Sequence, residues 1–513
     1  MSAEKLVAPD EEKPEHECGL GLIYSFERAD LRPDLFKIGH SLQHRGQNGG
    51  GIATDTGFCV TGSGLLRDAI DPHDLEGEIH NHWAMVHLRY GTSGGYGDEN
   101  MQPVEVQIGS RPVHVAVNGN IPNESRLSGY LTQPVSDLAS DTVLAAELLS
   151  SISAETMDDR VLQFARLPEI AESANNMFIG SGKTVYVIRD QFGLHPLVMG
   201  DYKQGNGVII ASETVALQKI GSTVLKEFPP GAVMKISPDG MEMLQEGSPA
   251  GVHQSCLFEA AYFSSPNSGF STKKEMDPND WLSMLQFRMR TGEIVSQEHP
   301  VPSADFVVGM PDSGVPFSTG LANGMGKPYI PSVIRSHYNG DKDITRTFMQ
   351  DETLGGIAAL VRGKLMPVND RRLWEGKVVV IGDDSLVRGN TAREVTRMLR
   401  QLGVREIHWR YGFPPVQWPC HLGVSFRTQD ELLAAKMEND WKVMAAYIGA
   451  DSIAFISSVS IIKVARECDV SNLVFPPDEK EIFAANGFCG GCVTGVYPVT
   501  QEGTIYNYKF AKS

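Results

Sequence analysis

No run of this 513-residue chain approaches the roughly 18 uncharged apolar residues of a membrane-spanning helix, so no membrane partner is expected. Basic residues are outnumbered, 45 Lys and Arg against 63 Asp and Glu. The net charge of −18 leaves no cationic excess to displace counterions from a nucleic acid, which excludes nonspecific nucleic-acid binding. The start, MSAEKLVAPDEEKPEHE, is acidic and lacks the apolar core of a secretory signal; a cytoplasmic protein is expected. Seven cysteines spread over this length do not make a disulfide framework, so each needs its own explanation. Repeats of fixed period and low-complexity tracts are missing too. What is present is a hydrophobic content of 41%, enough to bury more than one core, and a length that suggests roughly two to four domains.

The most informative stretch is VVVIGDDSLVRGNT, Val378 to Thr391. Four apolar residues predict a short buried strand, two carboxylates cap it, and a Ser-Leu-Val-Arg-Gly-Asn-Thr loop leads into a helix over Ala392 to Leu402. Such a loop suits a phosphate. Backbone N–H groups face outward at the helix start, Ser385, Asn390 and Thr391 add short donors, and Gly389 lets the backbone approach an anion. Asp383 and Asp384 suit ribose hydroxyls, or a magnesium ion reached through water. Together these residues resemble the 5-phosphoribosyl-1-pyrophosphate (PRPP) motif of type I phosphoribosyltransferases. The resemblance implies PRPP contacts from Asp383, Asp384, Ser385, Arg388, Gly389, Asn390 and Thr391.

Cys18 sits in HECGLGLIYSF, ahead of an apolar, Gly-interrupted strand. Downstream come SLQHRGQNGGGIAT at 41–54, VHLRYGTSGGYGDENMQP at 86–103, VAVNGNIPN at 115–123, and Asp141 in LASDTV. A lone cysteine near an N-terminus is more often an inert strand residue, and Asn118-Gly119 alone reads equally as a hairpin turn. As a set, these segments resemble the N-terminal-nucleophile glutamine amidotransferases, whose mature chain begins with the catalytic cysteine. The chemistry explains that position. A thiolate must attack the glutamine amide, donors must hold the oxyanion, and the free α-amine of a terminal Cys18, a group whose unperturbed pKa is about 8, can act as base. The resemblance implies an oxyanion hole at Asn118 and the Gly119 N–H, a glutamine carboxylate clamp at Arg89, an α-amino partner at Asp141, and pocket shaping by Arg45. Residues 1–17 then form a propeptide. Later strands are expected in VYVIRDQFGLHPLVMG at 185–200, IIASETVAL at 209–217 and FPPGAVMKIS at 228–237, with Gln191 and His195 standing where the family usually has Pro and Arg.

Four further cysteines are Cys256 in QSCLFEAAYF, Cys420 in PPVQWPCHLG, and Cys489 with Cys492 in GFCGGCVTG. A CxxC alone reads as a redox pair, half of a zinc site, half of an iron–sulfur site, or two buried thiols. All four positions resemble the cluster ligands of the iron–sulfur-containing, propeptide-bearing branch of the amidophosphoribosyltransferases. That implies a [4Fe–4S] cluster, with tetrathiolate zinc as the chemical runner-up. Cys59 and Cys468 fall outside the pattern and read as core thiols. In DFVVGMPDSGVPFSTGLANGMGKPY at 305–329, a strand, a turn and a small-residue helix, the resemblance puts Ser313 on magnesium beside Asp383 and Asp384.

The resemblance covers the chain from Cys18 to about Tyr497. It implies a four-layer αββα N-terminal-nucleophile glutaminase domain at 18–255, then a type I phosphoribosyltransferase α/β domain with a cluster-binding segment at 256–513. It also implies Mg2+ and [4Fe–4S] as cofactors, glutamine and PRPP as substrates, and a homo-oligomer, dimer or tetramer. The expected reaction turns PRPP, glutamine and water into 5-phosphoribosylamine, glutamate and pyrophosphate, the committed step of purine synthesis. The alternatives are a paralogue delivering ammonia to another phosphosugar, and a non-catalytic PRPP sensor. The loop from Asn339 to Lys364 departs most from the family. It keeps Arg346 and Lys364, both expected on PRPP, but carries GGIAAL at 355–360 where basic residues are usual, which predicts a less favourable closure over PRPP.

Overall fold

The computed structural model describes residues 18–90, 100–122, 124–131, 140–222, 224–248, 253–270, 281–335, 361, 363–424, 428–467 and 469–498. The expected propeptide, Arg346, Cys468 and most of the 339–364 loop lie outside these residues. Those described form two compact units. One takes them from Arg288–Trp418 and Gln429–Ser457, the other from His16–Phe287, Pro419–Thr428 and Ser458–Ser513.

In the unit that holds Cys18, two antiparallel sheets stack. The first runs Val224–Glu227, Val198–Tyr202, Gly207–Ala211, Gly19–Ala29, Asn81–Arg89, Gly49–Thr54, Cys59–Ser63. The second runs Gly240–Gln245, Val233–Ser237, Thr184–Arg189, Ala174–Ser181, Arg111–Asn120, Val104–Ile108. Side-chain alternation decides the layers. Along Asn81–Arg89, Ala84, Val86 and Leu88 pack with Leu35 and Ile38 of helix Arg32–Leu42, while Trp83 and Met85 pack with Phe178 and Val187 of the second sheet. On that sheet's other face, Val113, Val115 and Val117 meet Ala145, Leu149 and Phe164 from helices Asp141–Ser151 and Met157–Ala165. Helix, sheet, sheet, helix is the αββα order expected. Asn118 and Gly119 do not form a hairpin turn; both lie within strand Arg111–Asn120, because the chain continues in register with Ala174–Ser181.

In the other unit, strands Phe306–Gly309, Val378–Asp383, Glu406–Tyr411 and Ser452–Phe455 pair in parallel in that order. Helices Gly314–Met325, Asn390–Gln401 and Trp441–Ile448 lie between them in the chain. Val379, Ile381, Ile407 and Trp409 pack against Val395 and Leu399 of the middle helix and Met444 of the last. Parallel strands covered by helices leave ligands the carboxyl ends of the strands. The helix expected from Ala392 starts two residues earlier, since Gly389 at φ +83° caps it and leaves Asn390 in the first turn.

The layering predicts unequal costs of truncation. Phe178→Ala, fully buried between the sheets, should destabilise its unit by about 3–5 kcal/mol. Met241→Ala, 48% exposed on the strand Gly240–Gln245, should stay within about 0.5 kcal/mol of wild type. Urea unfolding followed by fluorescence checks both.

Candidate functional site

Period two places the nucleophile candidate. Leu20, Leu22 and Tyr24 face the space between the sheets, so Cys18, two residues before Leu20, shares their parity. Gly19 pairs with Leu88, which brings Cys18 beside Arg89, and the Cys18 Sγ lies 4.0 Å from the Tyr90 carbonyl. On the facing sheet Ala116 points inward, and Asn118 follows with the same parity. Ser212 joins the two sheets here. Its Oγ accepts the Leu20 N–H at 3.0 Å and the Asn118 Nδ2 lies 3.4 Å away.

Gly119 must be glycine. Its φ is +143°, and an added Cβ would sit 1.8 Å from the Ala174 carbonyl oxygen. Asp141 opens helix Asp141–Ser151, which Ser140 caps by accepting the Val143 N–H. Its carboxylate accepts Ile121 N–H at 3.0 Å and Thr142 N–H at 3.1 Å. Arg89 donates to the Asn100 carbonyl, and the Asn100 side chain accepts Ser140 N–H at 2.7 Å. Gln102 bridges Thr142 Oγ1 at 2.9 Å and Val117 N–H at 2.7 Å.

The Arg45 side chain is completely buried, and each of its three nitrogens has an acceptor. Nε donates to the Cys18 carbonyl at 3.1 Å, Nη1 to Glu213 at 2.7 Å, and Nη2 to Glu259 at 2.5 Å. Burial alone would raise the pKa of Glu213; His44, Arg45 and Ser268 outweigh it and hold the carboxylate well below its usual range. At Cys18, burial pushes the thiol up, and the Asp141 carboxylate adds to the shift while Arg89 and Arg45 oppose it. His87 is pushed down to about 3 by burial, with Arg89 acting in the same direction. It is therefore neutral, and its ring lies 3.1 Å from the Val117 carbonyl across the two sheets.

The four cysteines of the second set all belong to the unit that holds Cys18. Cys256 and Cys489 are paired in a short parallel bridge, and Cys420 and Cys489 pack around Leu194 and Leu422. Cys489 is pushed up to about 11 by burial, and Cys492 rises well above the ordinary thiol value by burial and by the neighbouring Cys420 and Cys489. Among the described residues no three His, Cys, Asp or Glu groups stand close enough to hold a metal ion. Cys59, expected as a core thiol, is partly buried against the inter-sheet core.

In the other unit, Asp383 ends its strand and Asp384 follows, both buried. Asp384 Oδ1 accepts from the Ser385 hydroxyl at 2.6 Å, while its Oδ2 is buried without a hydrogen-bond partner. Such an orphaned carboxylate oxygen fits a hydroxyl or a hydrated cation. The Pro311–Gly314 turn comes up against this acid pair, since a Cβ on Gly314 would lie 2.9 Å from Asp383 Oδ1. That brings Ser313 and Asp383 into one neighbourhood. Leu386 and Val387 anchor the loop in the core, and Arg388 is tied to Glu431 at 2.9 Å through Nε. Lys364 is half-buried just before strand Leu365–Pro367.

The sequence reading missed Ser212, Glu213, Glu259, Asn100 and Gln102 as site residues. Glu213 and Glu259 lay inside quoted segments, ASET and LFEAA, but nothing local marks a carboxylate that serves a distant arginine.

Comparison with known proteins follows the same division. A glutamine amidotransferase domain model matches residues 95–219 and a phosphoribosyl transferase domain model matches 290–409. Amidophosphoribosyltransferase 1, chloroplastic, of Arabidopsis thaliana is 33% identical over 96% of this chain and 80% of its own length. The amidophosphoribosyltransferase of Bacillus subtilis is 33% identical over 94% of both chains. The solved glutamine PRPP amidotransferase from B. subtilis, complexed with ADP and GMP, is similar with a TM-score of 0.78 and 30% identity, over 94% of this chain and 98% of that one.

The electrostatics around Cys18 predict its reactivity in the chain as described, with residue 17 still attached. A thiol held above its ordinary pKa is protonated at neutral pH, so alkylation by iodoacetamide should be slow and rise about tenfold per pH unit from pH 7 to 9. Asp141→Asn should speed it at fixed pH. Peptide mapping by mass spectrometry gives the rates, and a pH-independent rate would contradict the shift.

Proposed function

The chain belongs to the amidophosphoribosyltransferase family, and from that premise we propose how its residues divide the reaction. The enzyme hydrolyses glutamine and transfers the ammonia to PRPP, releasing glutamate and pyrophosphate and forming 5-phosphoribosylamine, the first step of purine synthesis. Neither the sensor nor the paralogue alternative finds support in the relatives named above.

Cys18 attacks the side-chain amide of glutamine once residues 1–17 have been removed. A thiol raised by burial needs a base, and the freed α-amine on the same residue supplies one. Asn118 Nδ2 and the Gly119 N–H hold the oxyanion, Arg89 takes the substrate carboxylate, and Asp141 takes its ammonium group. The observation that carries this assignment is the common inner face: Cys18, Arg89 and Asn118 point between the sheets at one end, with Ser212 joining their strands. Arg45 acts one step back, on the Cys18 carbonyl.

At the second site Asp383 and Asp384 hold the ribose hydroxyls, and the Ser385 hydroxyl, Asn390, Thr391 and the Gly389 backbone take the 5-phosphate. Arg388 sets the loop through Glu431 and offers its guanidinium to a phosphate, while Arg346 and Lys364 supply cations from the 339–364 segment. Magnesium, held by Asp383, Asp384 and Ser313, would neutralise the leaving pyrophosphate. The orphaned Asp384 Oδ2 supports that donor set. Self-association as a dimer or tetramer belongs to the same proposal.

Cys256, Cys420, Cys489 and Cys492 are proposed to hold a structural [4Fe–4S] cluster. Cys420 and Cys489 oppose the ionisation of Cys492, and a bound cationic centre would relieve that opposition. Neither amide hydrolysis nor pyrophosphate displacement needs electron transfer, so no step passes through it.

Cys18→Ala should remove glutamine-dependent synthesis by at least about a thousandfold and leave ammonia-dependent synthesis standing. Intact mass of active enzyme should place the N-terminus at Cys18; full activity with Met1 retained contradicts the base assignment. For the cysteines, anaerobically purified protein should contain iron and sulfide in equal amounts. One zinc per chain and no colour would select the tetrathiolate alternative.

A further inference from the structure

The contacts of Arg45 do not end at Glu259. The far oxygen of that carboxylate, Oε2, lies 3.1 Å from His195 Nδ1, and the other ring nitrogen, Nε2, lies 2.9 Å from the Leu422 carbonyl. All these side chains are almost fully buried: Arg45 and His195 at 1% exposure, Glu259 at 2%. Both ring nitrogens of His195 therefore face acceptors. A neutral imidazole has one N–H and one lone pair, so either tautomer would press a lone pair against a carboxylate or a carbonyl oxygen. Only the imidazolium satisfies both. Charge agrees with this at Glu259: of the two buried carboxylates on Arg45, Glu213 also has the His44 ring at 2.9 Å, while Glu259 has the His195 ring at 3.1 Å.

The loop that carries His195 is held firmly. Asp190 accepts the N–H groups of Phe192 at 3.0 Å and Gly193 at 2.8 Å, and Arg189 donates to the His195 carbonyl at 2.8 Å. A ring on so fixed a loop can act as a strut.

We infer that His195 is a cationic positioning residue for glutamine hydrolysis: it holds Glu259, which holds Arg45, which fixes the Cys18 carbonyl. The carbonyl of the first residue sets the direction of both its amine and its thiol, so a shift at Glu259 displaces the two reacting groups together. The strut also ties this line to the Pro419–Thr428 segment through Leu422. His195 touches no substrate in this scheme. Its charge, rather than its ring, is what the arrangement uses. The inference rests on Cys18 being the nucleophile.

Variants of the processed enzyme test it, with glutamine- and ammonia-dependent synthesis measured side by side. His195→Gln keeps reach and hydrogen-bonding capacity but removes charge; kcat with glutamine should fall about ten- to a hundredfold, with KM for glutamine within about twofold. Ammonia-dependent synthesis should be unchanged. His195→Arg restores a cation and should recover kcat to within about threefold of wild type. Wild-type kcat in His195→Gln overturns the inference, as does an equal loss in His195→Arg, or a loss confined to KM. Should His195→Gln fail to accumulate as soluble enzyme, Glu259→Gln carries the test: the same fall in kcat is expected, and full activity there overturns the inference. Cys18→Ala, run alongside, separates the two levels: retained glutamine-dependent synthesis in that control refutes the nucleophile assignment and the inference with it, whereas its loss there leaves the His195 variants to decide the inference alone.

Discussion

A guanidinium shut away from water persists only where anions and hydrogen-bond acceptors surround it, and Arg45 meets that condition from segments far apart in the chain. Glu213 comes from the start of helix Thr214–Lys219, Glu259 from the helical turn after Cys256, and the third acceptor is the carbonyl of Cys18 itself. Glu213 also accepts Ser265 N–H at 2.9 Å and the Ser268 hydroxyl at 2.6 Å, so the same carboxylate ties down the stretch that follows. Removing one partner from such a buried group strands the others, at a cost of about 3–5 kcal/mol. The position of Cys18 is thus bound up with the folding of its whole unit.

Around that charge the two sheets supply geometry. Their facing sides are apolar through most of their length, from Tyr24 and Trp83 to Phe178 and Ile236, and turn polar at one end with Arg89, Asn118 and Ser212. The same alternation that packs the interior also aims the polar groups inward, with no separate device required. His87, neutral and facing the Val117 carbonyl, pins the two sheets together beside these residues. The site is the last layer of a hydrophobic core in which the side chains have become polar.

The phosphoribosyl unit works by a different constraint. Its acids are local to one strand end, and the strand is rigid because it is central in a parallel sheet buried by helices on the core side. Backbone, more than side-chain networks, shapes this site: Gly389 in the left-handed region starts the helix, and the Gly314 backbone lies against Asp383 where a side chain would collide. Leu386 and Val387, buried inside the loop, explain why apolar residues interrupt a polar motif.

The residues from Asp383 to Thr391 could be read from sequence because one strand, one turn and one helix hold them all, and local pattern determines such a unit. The apolar runs at 19–24 and 185–188 likewise mark buried strands, but being apolar at nearly every position they do not say which face meets a helix and which the other sheet. Cys18, Asn118 and Asp141 were identifiable as a set of motifs, but their convergence depends on strand pairing that no single segment encodes. Ser212 reaches Asn118 across 94 positions, and Glu259 reaches Arg45 across 214. Neither carries a local signature, because a serine or glutamate that partners a distant group looks like any other until the chain closes. Which unit the segments 256–287, 419–428 and 458–498 join was likewise settled by packing, since their short elements have no periodicity strong enough to choose a partner. Composition and local periodicity determine elements; the long-range pairing of buried charges is decided only when folding removes the water that would otherwise have solvated them.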